Sequence, residues 1–146
     1  MSNTLDLSLF RFKHSLRVRW AEVDPQEVVF NGNYLTYFDV AFTEYFRVLG
    51  ITYPEGLTQY GCDWYVRKST IEFHAPARFD QLLDVYVRLA RLGNTSATIQ
   101  LEIMHEGNHL ISGEMIYVNV DLKTQQPMRL PEALRNVFEN YEQSID

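Results

Sequence analysis

The 146-residue chain has a single cysteine, Cys62, so no internal disulfide can form and the sequence fits a reducing compartment. Seven glycines and five prolines are too few for a fibrous or low-complexity chain. With 46% hydrophobic and 22% charged residues, the composition is that of a packed domain, not a disordered segment. Basic residues are scarce: thirteen Lys and Arg stand against nineteen Asp and Glu, a formal charge of −6. That deficit argues against broad attraction to nucleic-acid phosphates, so any anionic ligand has to be gripped locally. No run approaches the ~20 apolar residues of a membrane span, and the first ten residues lack the basic and apolar regions of a secretion signal. The expectation is one cytoplasmic domain over residues 1–146, with no nucleic-acid partner and no membrane span, its first ten residues loosely ordered.

Several catalytic signatures are absent as well. Of the four histidines, only His105 and His109 are closely spaced, and a Gly107-Asn108 turn lies between them, so no metal site is expected. Cys62 has no cationic neighbour or evident histidine partner, which favours a buried thiol over a nucleophile. No serine sits in a nucleophile-elbow pattern and no glycine-rich loop could cradle a phosphate.

What is present is periodicity. Apolar and polar residues alternate from Ser15 to Val23, placing Leu16, Val18 and Trp20 on one face of a strand that ends at Asp24-Pro25. After Asn33 the period lengthens: Tyr34, Phe38, Ala41, Phe42, Tyr45 and Leu49 recur at helical spacing up to Gly50, a C-terminal cap. Leu35, Val40, Phe46 and Val48 widen this apolar surface, so the helix is expected to be enclosed on several sides. Strand patterns follow at Asp63–His74, Leu82–Arg91, Thr95–His105 and His109–Leu122. The short turns at Gly93-Asn94 and Gly107-Asn108 make the last three an antiparallel meander. Pro131 opens a terminal helix with Leu134, Val137, Phe138 and Tyr141 on its apolar side. The sum is an α+β domain in which an antiparallel sheet curls around one long central helix, leaving edges that a second copy would cover. The 14% aromatic content suits a pocket, an interface or simply an aromatic core.

The residue best placed for chemistry is Asp24, in the loop between the first strand and the long helix. A carboxylate there can attack a carbonyl or activate water, and the backbone amides near Asn31, Gly32 and Asn33 can stabilise the oxyanion that develops. On spacing alone an ordinary turn aspartate is the better account of Asp24, and a helix cap the better account of the Asn31 side chain, whose amide alone concerns the mechanism. Glu22 and Glu27 are read as solvated, and Asp39 and Glu44 as marking the wet or interfacial edge of the helix. Arg67, Lys68, Arg78, Arg88 and Arg91 are read as solvated strand positions, with Arg91, beside the 93–95 turn, the one singled out for an anionic ligand.

The stretch Trp20-x-Glu-x-Asp24-Pro-x-x-Val-Val-Phe-Asn-x-Asn-Tyr34, followed by Tyr37-Phe38 and Glu44-Tyr-Phe46, resembles the N-terminal signature of the 4-hydroxybenzoyl-CoA thioesterase family. Phe73-His-Ala-Pro-Ala-Arg-Phe-Asp80 is similar to that family's second-strand ending. The resemblance implies a hotdog fold that assembles as a homodimer or homotetramer. It also implies hydrolysis of an acyl-CoA, with Asp24 as nucleophile or general base, the Asn31 and Gly32 amides facing the carbonyl, and Tyr34 and Phe38 near the acyl group. No cofactor is implied, since coenzyme A enters as part of the substrate. Two departures stand out. Glu27 occupies a position where many relatives have glycine, and the turn Gly93-Asn94-Thr95 lacks the basic residues some relatives direct at CoA phosphates. Two other readings share the fold: a dehydratase or hydratase, whose His and acid set cannot be assembled here, and an acyl-CoA-binding protein without turnover.

Overall fold

The computed structural model describes residues 5–146. Five antiparallel strands form one sheet in the order β1-β3-β4-β5-β2: β1 Phe12–Arg17, β2 Cys62–Phe73, β3 Leu82–Leu92, β4 Ser96–His105 and β5 Asn108–Asp121. Three helices complete it, α1 Asn33–Val48, α2 Glu55–Thr58 and α3 Glu132–Tyr141. The expected meander is present as β3-β4-β5, turning through Gly107, whose φ of +82° a side chain would strain.

Alternation decides which residues meet. Leu83, Val85, Val87 and Leu89 of β3, Ala97, Ile99, Leu101 and Ile103 of β4, and Ile111, Met115 and Tyr117 of β5 are all buried, as are Tyr34, Tyr37, Phe38, Ala41, Tyr45 and Phe46 of α1. At Gly113 a methyl group would run into the Phe38 ring, so the absence of a side chain there lets α1 approach β5. Beyond α1, Phe138 of α3 stacks on Trp64 at 5.6 Å and on Tyr45 at 6.4 Å, closing one end of an aromatic core. Gly50, at φ +80°, follows the last turn of α1 as its spacing predicts.

Several expectations need correction. The first strand runs from Phe12 to Arg17, not Ser15 to Val23. Beyond it the chain forms a 3-10 turn at Trp20–Glu22, and Trp20 is 69% exposed while Val18 is buried. Alternation cannot distinguish a strand from a turn whose residues happen to alternate. Nor is α1 enclosed: Leu35, Val40 and Val48 are exposed within one chain, because the sheet covers only one side of the helix. Arg88 is 4% exposed instead of solvated; its guanidinium donates to Gln100 Oε1 at 2.8 Å and to the Ser144 carbonyl at 3.0 Å, and pairs with Asp146. Within the first ten residues, Leu7–Leu9 form a 3-10 turn capped by Asp6, and Phe10 is buried against Tyr86. Residues 1–4 lie outside the described residues.

The C-terminal segment buries an acid. Glu142 accepts from the Leu89 amide at 3.2 Å through Oε2, while Oε1 has no partner among the described residues. Burial pushes its carboxyl up to about 7, against the Leu89 hydrogen bond and the Arg88 and Arg11 charges. With the folded value above the unfolded one near 4.5, this group's contribution to stability is complete below pH 4.5 and is lost as pH rises through about 7. Glu142→Gln should therefore raise stability above pH 8 by about 2 kcal/mol and change it little at pH 4.5, a contrast read from denaturant midpoints at the two pH values.

Candidate functional site

The segment from Arg19 to Asn33 folds as a closed lasso between β1 and α1. Val23 and Val29 form an antiparallel bridge, the Asp24 amide donates to the Val28 carbonyl at 2.9 Å, and the Glu27 amide donates to the Asp24 carbonyl at 2.8 Å. Asp24 is half-buried, and its Oδ1 accepts from the Gln26 amide at 2.8 Å. The aspartate turn chemistry expected from its place before Pro25 is thus present. Oδ2 has no protein donor among the described residues. Glu27 takes φ +64°, the left-handed conformation that glycine adopts freely, so the turn has the backbone that a glycine at this position would suit.

The lasso is fastened at Glu22, which is not the solvated residue its sequence position suggests. The Glu22 carbonyl accepts from the Phe30 amide at 2.9 Å and from Asn33 Nδ2 at 2.8 Å. Its carboxylate accepts from the Arg19 amide at 2.7 Å, the Arg19 guanidinium at 3.1 Å and the Tyr37 hydroxyl at 3.0 Å. Burial works against a charge here, but these donors outweigh it and hold the Glu22 carboxyl below its ordinary value. The Tyr37 hydroxyl is pushed well up, by burial first and by Glu22 second. Sequence reasoning missed Glu22, Asn33 and Tyr37 as one unit. The available signal was the Arg19-x-x-Glu22 spacing, which lets the Glu22 carboxylate reach back to the Arg19 amide.

A second tie reaches the loop between β2 and β3. The Val29 amide donates to the Ala77 carbonyl at 2.9 Å, the Ala77 amide donates to the Tyr34 hydroxyl at 3.1 Å, and Val28 pairs with Arg78. Tyr34 is buried; burial raises its hydroxyl, and the Asp24 charge adds to that rise. Phe38 lies deeper, against Gly113. The Asn31 and Gly32 amides, exposed at the start of α1, donate to no protein acceptor among the described residues.

The fold therefore places Asp24, Asn31 and Gly32 in one fastened loop, with Tyr34 following in the first turn of α1. Arg91 stands apart: it is exposed at the far end of β3, nine residues and about 30 Å along the strand from Leu82, where the β2–β3 loop ends. Cys62 is buried, with its thiol donating to the Leu57 carbonyl at 3.5 Å and pushed up by burial. Among the described residues no group of three His, Cys, Asp or Glu is arranged to hold a metal ion, and no helix is long and apolar enough to cross a membrane.

A single antiparallel sheet curled over one long helix is the hotdog fold of thioester hydrolases. The chain belongs to the Thioesterase superfamily, whose sequence profile matches residues 26–112, beginning two residues beyond Asp24. It is 28% identical over 131 residues to the acyl-CoA thioester hydrolase YbgC of Escherichia coli O6:H1, covering 89% of this chain and 96% of that protein. Among solved structures, a probable thioesterase from Bartonella henselae is similar at TM-score 0.75 and 26% identity, over 82% of this chain and 98% of that one. A 1,4-dihydroxy-2-naphthoyl-CoA thioesterase from Synechocystis reaches TM-score 0.81 over 89% and 96% of the two chains; at 17% identity that likeness is one of fold alone.

Removing the fastening at Glu22 should loosen the lasso. Glu22→Ala is expected to cost about 2 kcal/mol in urea denaturation, because the Tyr37 hydroxyl loses its buried acceptor; Glu22→Gln, which keeps an acceptor oxygen, is expected to recover most of that loss.

Proposed function

We propose that the protein hydrolyses an acyl-CoA to a carboxylic acid and free CoA, with Asp24 as the reacting carboxylate. The observation that carries this reading is the presence, within one closed loop, of a half-buried carboxylate whose Oδ2 has no donor, and of two helix-start amides without acceptors, among the described residues. The match to the acyl-CoA thioester hydrolase of Escherichia coli supports the substrate class.

Two steps are open to Asp24. Its oxygen adds to the thioester carbonyl, the thiolate of CoA leaves, and water then hydrolyses the mixed anhydride; or it takes a proton from a water that adds to the same carbon. In both, the carbonyl oxygen gains negative charge, and the Asn31 and Gly32 amides, aided by the positive end of the α1 dipole, are the donors available to it. The closed turn at Glu27 favours catalysis over the alternative in which this residue disables the loop.

The purified Asp24→Asn variant should lose at least about a hundredfold in turnover on its best acyl-CoA, read as free thiol, while its thermal unfolding stays close to that of the wild type. Wild-type rates in that variant would sink the assignment.

We further propose that the chain pairs with a second copy through β2. This strand offers a twelve-residue edge against six for β1, and exposes Tyr65 and Val66 on the same molecule that leaves Leu35, Val40 and Val48 of α1 uncovered. On this reading the protein acts in the cytoplasm on a substrate that brings its own coenzyme A. Sedimentation should show a dimer or tetramer, and Tyr65→Asp with Val66→Asp should shift it toward monomer.

A further inference from the structure

Residues 17–20, which lead into the Asp24 lasso, run beside residues 78–81. The Val18 amide donates to the Gln81 carbonyl at 3.0 Å, the Asp80 amide to the Val18 carbonyl at 3.1 Å, and the Arg17 guanidinium to the Asp80 carbonyl at 2.6 Å. This ladder holds Trp20 and Phe79 edge to face, with ring centroids 5.1 Å apart and planes at 85°. Both rings nevertheless face water, Trp20 at 69% and Phe79 at 48% exposure, whereas the only other tryptophan, Trp64, is 7% exposed. A T-shaped pair uses one ring's edge and the other's face, so flat faces stay open to a third π-system.

Arginines border the pair. Arg17 and Arg19 precede Trp20, and Arg78 precedes Phe79. The carboxylates beside them are already engaged, Asp80 with Arg17 at 3.7 Å and Glu22 with Arg19 at 3.1 Å. The Arg78 side chain has neither an ion pair nor a hydrogen bond among the described residues; its backbone amide is held by Gln81 Oε1 at 2.8 Å. Its backbone also pairs with Val28, on the same lasso as Asp24. An exposed guanidinium unpaired among the described residues, one residue along the chain from Phe79 in a protein of net charge −6, offers a local anion site near a stacking surface.

We propose that Trp20, Phe79 and Arg78 form the subsite for the nucleotide end of CoA: the adenine stacks on the exposed aromatic faces, and the phosphates meet Arg78, with Arg17 and Arg19 adding to the field. This rests on the acyl-CoA reading above. It also supplies the phosphate grip that the 93–95 turn lacks.

The exposed Trp20 makes the proposal measurable in the full-length protein. Titration with CoA should quench tryptophan fluorescence, the buried Trp64 serving as the unresponsive background, and Arg78→Gln should weaken that titration about tenfold. In steady-state assays, Trp20→Leu and Arg78→Gln should each raise KM for an acyl-CoA about tenfold. They should leave unchanged the hydrolysis of the same acyl group carried on N-acetylcysteamine, which has a thioester but no nucleotide. No quenching together with an unaltered KM would overturn the subsite, and so would equal losses on both substrates, which mark a structural role. If the wild type hydrolyses neither thioester yet CoA still quenches Trp20, the activity fails and the nucleotide site stands.

Discussion

Everything else in this protein depends on one contact, the close packing of the aromatic face of α1 against a sheet that must bend to receive it. Tyr34, Phe38, Ala41 and Tyr45 meet the inward residues of β3, β4 and β5, and Gly113 removes the one side chain that would hold Phe38 away. Full burial of a large side chain contributes about 1.5–3 kcal/mol, so a face built from several such residues outweighs any single hydrogen bond in the structure. It also fixes the position of α1 along its axis. The hydroxyls of Tyr34 and Tyr45 accept from the amides of Ala77 and Leu89, so a helix displaced along the sheet would orphan buried polar groups as well as lose contact area.

A helix held in register has a start held in place, and the site follows from that. Tyr34 joins α1 to the β2–β3 loop, and Tyr37 joins it to Glu22. Glu22 in turn clamps both ends of the lasso, accepting from Phe30 and Asn33 through its carbonyl. A loop with these ties is not free to wander, although it runs over the surface where loops are ordinarily mobile. The cost of preorganisation is borne by buried hydrogen bonds within the core, while Asp24 itself carries few. On the proposed reading, that division suits a carboxylate that has to be positioned and still available.

The parts legible in the sequence were those with a strong period or strong turn chemistry. The limits of α1, the β3-β4-β5 meander and the terminal helix all appear close to where spacing placed them, because amphipathic patterns repeat over many residues and survive local exceptions. Residues 18–23 were misread, since their alternation continued by accident into a 3-10 turn. Arg88 and Glu22 were misread for a different reason. Charged residues are solvated by default, and only tertiary neighbours far along the chain, such as Ser144 for Arg88 and Tyr37 for Glu22, reveal a buried exception. The exposure of Leu35, Val40 and Val48 was hidden likewise: the pattern records that a face is apolar, not which molecule covers it.

Asp24 shows that the two accounts of a turn aspartate need not compete. Oδ1 closes an aspartate turn on the Gln26 amide and so fixes the side chain's torsion, which leaves Oδ2 directed by that same bond instead of rotating freely. Turn chemistry is then the means by which the carboxylate is aimed. The backbone conformation at Glu27 completes the turn at a cost of about 1–2 kcal/mol for a residue with a side chain. A strain of that size at an exposed position would ordinarily be relieved by glycine. Its retention while the turn closes around Asp24 indicates that the Val23–Val29 bridge and the Glu22 clamp over-determine the loop. The loop's shape is therefore imposed from its two ends, and the residue at its tip has little say in where Asp24 points.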